Sequence, residues 1–278
     1  MSVSVVGLVL VAAVLHASWN ALLRGGVDRL WLVTVMSLAT SAIALPFALV
    51  LPLPGAGAWP YLLFSAAMQV LYTYFLVWVY RLADLGAVYP VIRGCVPLLV
   101  TLGAALLAGQ RLTLPTVAGV GLVSLGIMAT VLGRGGGDRK ALGLAVLTGA
   151  VIATYTVTDG VGVRHAGSST AYTAWIFLVF GALMLLTHGL VHGRVELRGR
   201  GSQLRTAGLA GLVQITVYAM MMWALSLSPM GPVSALRETS VVFATLIGWR
   251  FLGEKLSPAR LGACSAIALG AFCLSYYA

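Results

Sequence analysis

The chain is poor in charge: 9% of its 278 residues are Asp, Glu, Lys or Arg, and only seven of those are acidic. Soluble domains carry about 25% charged residues, so a water-exposed globular domain is excluded. Cysteine is scarce as well. Cys95, Cys264 and Cys273 sit singly inside apolar runs, with no CxxC and no Cys/His cluster, which excludes a disulfide framework and a structural zinc site. GxSxG, HExxH, P-loop and post-strand GxGxxG motifs are all missing, so no cofactor is expected and a nucleotide-driven pump is excluded. The first apolar run lacks the charged n-region of a signal peptide, so it is expected to be a genuine span.

What the chain has is apolar length. It is 60% hydrophobic, with a mean hydropathy of +1.00. Stretches of roughly 20 residues, enough to cross a bilayer, fall at 3–23, 30–52, 59–81, 86–108, 113–133, 141–163, 169–191, 206–227, 230–252 and 257–277. The predicted fold is an all-α polytopic membrane protein of ten transmembrane helices, with the lipid bilayer as its first partner. The formal net charge of +10 resides mostly in short loops, as the positive-inside rule expects, so no nucleic-acid partner is implied.

The sequence repeats itself. Residues 93–113, RGCVPLLVTLGAALLAGQRLT, align without gaps on 237–257, RETSVVFATLIGWRFLGEKLS, which places Arg93 on Arg237. Upstream, after a one-residue shift, Gln69 falls on Gln214, Trp78 on Trp223 and Gly86 on Gly231. The repeat unit is five spans, giving halves 1–137 and 138–278. An odd unit makes the second copy enter from the opposite face, an inverted 5+5 repeat of the kind recurrent in secondary transporters. Taking the N-terminal side as A and the other as B, the B loops hold thirteen Lys and Arg between Arg24 and Arg260. The A loops hold Arg111 and Arg164. That asymmetry predicts a cytoplasmic B side and both termini outside.

The residues that cost energy are few. Arg93 and Arg237 each lie about seven residues into a span, roughly 10 Å below opposite surfaces. A central arginine left to lipid costs at least about 2.5–3.5 kcal/mol, so both are expected to face the interior. His16 and Asn20 lie near Arg93 in depth, Asp159 lies near Arg237 and Glu238, and Gln69 and Gln214 are more central. Arg237 is expected either to be clamped by Asp159 or Glu238 or to meet an anionic solute. Arg93 has no acid at its depth in these spans, which favours the solute. His16 and Glu238 are alternative carriers of a coupling proton, with hydrogen-bonded packing as the competing role for the histidine. Trp78 and Trp223, near span ends, read as interfacial anchors. Trp19, Tyr72, Tyr89, Tyr155 and Trp175 can wall a cavity. Pro90, Gly94 and Pro97 are expected to interrupt the span of Arg93, and Pro229 and Pro232 open that of Arg237.

Each half closes with G-(E/Q)-(K/R)-L-(T/S) before its last helix: GQRLT and GEKLS. Together with the ten spans and the glycine-rich LGACSAIALGAF, this resembles the EamA family of the drug/metabolite transporter superfamily. HASWNALL, YPVIRG and YTVTDGVGVR are similar to a branch associated with phosphonate-utilisation genes. The resemblance implies secondary transport of small metabolites by alternating access, with a cavity formed by the first four helices of each half and the fifth packing outside. Gln110 departs from the acid common at its turn. Family members are also described with cytoplasmic termini, against the charge count.

Three functions compete. The first is a transporter of a small anionic or zwitterionic metabolite in the bacterial inner membrane, with Arg93 and Arg237 engaging carboxylate or phosphonate. Its expected binding set is Arg93, Arg237, His16, Asn20, Tyr89, Trp19, Gln69, Gln214 and Trp175, with Glu238 and Asp159 coupling or charge-pairing. The second carries organic cations or choline-like amines on the aromatics and acids. The third, a membrane-embedded enzyme or lipid scramblase, lacks a nucleophile pair or metal cluster. A duplicated chain can form both halves of a path alone, so a monomer is expected.

Overall fold

A stretch of 20 residues wound at 1.5 Å per residue spans about 30 Å, the thickness of the hydrocarbon core. Within that core the backbone has to be satisfied internally, which favours helices. The computed structural model is helical in this way. It describes residues 1–22, 28–82, 85–130, 139–197, 200–252 and 257–277, without the side chains of 19–22, 85–87, 251–252 and 277. Trp19, Asn20, Gly86 and most of the GEKLS turn therefore lie outside the described side chains.

The helices are α1 (Val3–Leu22), α2 (Arg29–Val50), α3 (Trp59–Leu82), α4 (Leu85–Ala108), α5 (Leu114–Ala129) and α6 (Arg139–His165). They continue as α7 (Ser169–His192), α8 (Gly201–Leu227), α9 (Met230–Arg237), α10 (Ser240–Leu252) and α11 (Pro258–Tyr277). Among the described residues there is no strand. Within those residues, seven helical stretches are long and apolar enough to cross a membrane. Val3–Ser18 and Leu114–Ala129 are shorter apolar helices, and the ninth expected span is divided between α9 and α10. The chain is a polytopic helical membrane protein.

Leucine dominates the outside and small residues the inside. Leu106, Leu107, Leu114 and Leu190 are each more than 70% exposed, whereas Ala12, Ala44, Ala66, Ala145 and Ala224 are sealed. Lipid offers leucine as good a solvent as the core does, so helix contact is won instead by close approach of small residues. Two glycines carry this furthest. A Cβ on Gly149 would collide with the Cys95 sulfur of α4, and one on Gly181 would collide with Ser41 of α2. The Ser41 hydroxyl then reaches across to donate to the Phe177 carbonyl at 2.8 Å.

Packing pairs α2 with α7 and α5 with α11, and sets α3 and α4 against α6 while α8 and α9–α10 meet α1. Arg164, one of the two A-side loop cations, caps the end of α8. Its Nε donates to the Leu225 carbonyl and its Nη2 to that of Ser228, at 3.1 and 2.8 Å. Cations are favoured at that end of a helix.

One expectation about helix breaks is corrected. The span of Arg93 is not interrupted: α4 runs continuously through Pro90 and Pro97. The break falls instead in the span of Arg237, at Glu238–Thr239, where neither proline nor glycine stands. There the N–H groups of Glu238, Thr239, Val241 and Val242 bond carbonyls three residues back, at 2.9–3.1 Å. The Thr239 hydroxyl donates to the Leu236 carbonyl at 2.7 Å. The tightened turn thus keeps its backbone satisfied, and a membrane helix can break at such a turn.

Candidate functional site

Adjacent residues on an α-helix point about 100° apart and do not face each other. At the end of α9 they do, because the helix breaks there. The Arg237 guanidinium meets the Glu238 carboxylate at 3.2 Å through Nη2 and at 3.3 Å through Nε, both on Oε1. The other carboxylate oxygen faces Arg93 of α4, whose Nε lies 3.1 Å from Oε2 in an ion pair without hydrogen-bond geometry. One fully sealed carboxylate therefore serves two arginines, whose side chains are 8% and 13% exposed.

Arg93 has further partners. Its Nη2 lies 2.6 Å from Nε2 of His16 on α1. Guanidinium can only donate, so His16 accepts through Nε2 and is a neutral imidazole carrying its proton on Nδ1. Tyr89, one turn earlier on α4, presents its ring to the Arg93 guanidinium at 5.6 Å from its centroid. Half-buried Tyr72 and Tyr155 form a tilted pair, 6.0 Å apart, between α3 and α6.

This geometry corrects one expectation and sharpens another. Arg93 does have an acid at its level, Glu238, which the break in the ninth span delivers. The clamp on Arg237 is Glu238, not Asp159. His16 is hydrogen-bonded to Arg93, and Arg93 and Arg237 meet at one carboxylate.

Asp159 belongs to a second cluster. It is 1% exposed on α6. The Tyr172 hydroxyl of α7 donates to its Oδ1 at 3.0 Å, and the Tyr218 hydroxyl of α8 donates to its Oδ2. Gln69 of α3 donates from Nε2 to the Tyr218 oxygen at 2.9 Å and to the Ser65 hydroxyl at 3.3 Å. Gln69 is thus part of a polar cluster, but with Asp159 and not with the arginines. Gly162 makes room for it: a Cβ there would stand 2.7 Å from the Tyr172 hydroxyl.

Two expected residues fall elsewhere. Gln214 is half-buried on α8, and no hydrogen bond among the described residues joins it to either cluster. Trp175 sits edge-on to Trp59, 5.2 Å between centroids, with its indole nitrogen sealed and unbonded. The sequence reading missed Tyr172, Tyr218 and Ser65. The signal available was Asp159 itself, since a buried acid without a cation demands hydroxyl or amide donors. Gln110, the departure at the GQRLT turn, has a role: its Oε1 accepts from the Met230 N–H at 3.0 Å, capping α9.

Ionisable groups sealed inside a multi-helix membrane fold are the groups that mark solute and ion paths. Residues 139–276 match the model of the EamA-like transporter family. That second half of the chain belongs to the family, part of the drug/metabolite transporter superfamily, which makes the protein a multi-pass membrane transporter of small molecules. Its fold is that of a crystal structure of another protein, 22% identical, covering 99% of both chains with a TM-score of 0.79. No curated protein matches the chain.

Proposed function

We propose that the protein is a secondary transporter of a small anionic or zwitterionic metabolite, of amino-acid, carboxylate or phosphonate type. The single observation that carries this reading is the shared carboxylate. Arg93 and Arg237 bring two positive charges to Glu238, which returns one, so the centre of the bundle retains an excess cation. An uncompensated charge in a water-poor interior costs several kcal/mol. An anionic group of the solute removes that cost, and the planar guanidinium fork suits carboxylate and phosphonate. Glu238 is itself a carboxylate in that fork, a model within the chain of how the solute's would be held.

Transport by alternating access would then proceed between halves 1–137 and 138–278. The pairing of α3 with α6, mirrored by that of α8 with α1, supports such a duplicated arrangement. The arginines come one from each half, Arg93 on α4 and Arg237 on α9. The cluster draws on α1, α4 and α9 of one chain, which is consistent with a monomer. The membrane proposed is the bacterial inner membrane, and the charge count favours termini outside.

The organic-cation reading has less support. The acids it needs are engaged, Glu238 by arginines and Asp159 by phenols. Tyr89 already faces a guanidinium, and Trp175 packs edge-on against Trp59.

The test is counterflow in proteoliposomes with labelled pools of amino acids, carboxylates, phosphonates and quaternary amines. The expected result is exchange of a carboxylate or phosphonate compound, lost in Arg93→Ala. Exchange confined to quaternary amines and indifferent to Arg93→Ala would overturn the reading.

A further inference from the structure

Asp159 presents a problem that the anion site does not use. Its carboxyl group is sealed on α6, and among the described residues it makes no ion pair. The groups facing it from its neighbours are neutral: Ser65 and Gln69 on α3, Tyr172 on α7 and Tyr218 on α8. Arg81, Arg139, Lys140 and Arg205 stand toward the far ends of α3, α6 and α8, and the nearer cations have partners of their own. Arg93 of α4 and Arg237 of α9 hold Glu238. Arg164, further along α6, holds the carbonyls of Leu225 and Ser228. His165, at the end of α6, stacks on Tyr61 at 5.7 Å. Tyr155, one turn earlier on α6, pairs with Tyr72.

An ionised carboxylate so placed carries a charge that no cation compensates and that the two phenol donors only partly offset, a state that burial disfavours. A proton removes the charge, and the surroundings are built to accept one without rearranging. A phenol hydroxyl can donate to a carboxylate or accept from a carboxylic acid. Gln69 fixes the Tyr218 oxygen from the other side, at 2.9 Å, so that oxygen stays beside Oδ2 in either state. The step is simple in atoms: a proton delivered by hydronium adds to Oδ2, water departs, and the carboxylate becomes the neutral acid. Release runs the same bond in reverse.

The position of the cluster links this step to motion. Gln69 and Ser65 lie on α3, in the first half of the chain. Asp159, Tyr172 and Tyr218 lie on α6, α7 and α8, in the second. A shift of α3 against α6 and α8 breaks the Gln69–Tyr218 bond and uncovers the carboxyl group to water. Resting on the transporter reading above, we infer that Asp159, with Tyr172, Tyr218 and Gln69, binds the proton whose movement drives transport. This site is separate from the arginine pair that holds the solute.

The probe is the proton itself. Infrared difference spectra of the purified protein over a pH titration are expected to show one buried protonated-carboxyl band that titrates. It should vanish in Asp159→Asn, shift in frequency in Tyr218→Phe and persist in Arg93→Ala. The proposal is overturned if the band survives Asp159→Asn, if it is lost only in Glu238→Gln, or if no carboxyl titrates while the protein stays folded. Should Asp159→Asn fail to fold, Tyr218→Phe decides: a band unmoved by loss of that hydroxyl is not Asp159. In proteoliposomes with the labelled pools named above, Asp159→Asn is expected to retain counterflow while losing accumulation driven by an imposed pH gradient. Gradient-driven accumulation in that variant would overturn the proposal. Infrared reads the proton without any solute and counterflow reads the solute without any gradient, so failure of one claim is distinguishable from failure of the other.

Discussion

At the scale of single residues, the centre of the molecule is an inequality of charge: two guanidinium groups on one carboxylate. Breaking a buried ion pair by removing one partner costs about 3–5 kcal/mol because the remaining charge is left alone. Glu238→Gln leaves two such charges. It is expected to destabilise the protein by at least about that amount, read as a lower melting temperature in detergent, and a carboxylate or phosphonate ligand should restore part of the loss. An unchanged melting temperature would show that Glu238 does not hold the arginines. Arg93 and Arg237 could be singled out from the sequence because an arginine in an apolar run is expensive wherever it points. Their meeting could not. Depth was counted along straight helices, and it is the break at Glu238–Thr239 that turns this acid toward Arg93. No proline or glycine marks that break.

At the scale of helices, what holds the elements together is small-residue contact. The long apolar stretches are readable because length and hydropathy follow directly from bilayer thickness. Which helix touches which was not, since glycine and alanine carry no label of their partner. The crossing of α2 and α7 illustrates the energetics. A side chain at Gly181 meets Ser41 and the Ser37 carbonyl oxygen, the latter at 2.9 Å. Backbone cannot give way as a side-chain tip can, so Gly181→Leu is expected to force the helices apart and cost about 1–3 kcal/mol or more of stability. The check is thermal unfolding beside Gly189→Leu on the same helix, where a Cβ meets nothing within 4 Å; equal effects would refute the close-contact account. Gly162→Ala is subtler. It pushes the Tyr172 hydroxyl off Asp159 and is expected to shift the carboxyl band described above, and an unshifted band would mean the glycine serves packing only.

At the scale of the whole molecule, orientation remains the boldest expectation from sequence. Thirteen loop cations face two across the bilayer, and one of those two, Arg164, is tied to the end of α8. Its place is explained by helix capping, which strengthens the asymmetry of the remainder. A tag at the N-terminus is thus expected to be labelled from outside intact spheroplasts by an impermeant reagent. Labelling only after permeabilisation would reverse the assignment, in line with what the family resemblance implies.

The account as a whole rests on an anion completing the Arg93–Glu238–Arg237 centre, and one measurement reaches that claim most directly. It is the melting temperature of the purified protein with and without carboxylates, amino acids, phosphonates and quaternary amines, repeated for Arg93→Ala and Arg237→Ala. A ligand that binds only the folded state stabilises it by about 2.7 kcal/mol at a hundred times its Kd. The account predicts that an anionic or zwitterionic compound raises the melting temperature of the wild type, and that the rise disappears in both variants. A rise produced by quaternary amines and undiminished in either variant would contradict it.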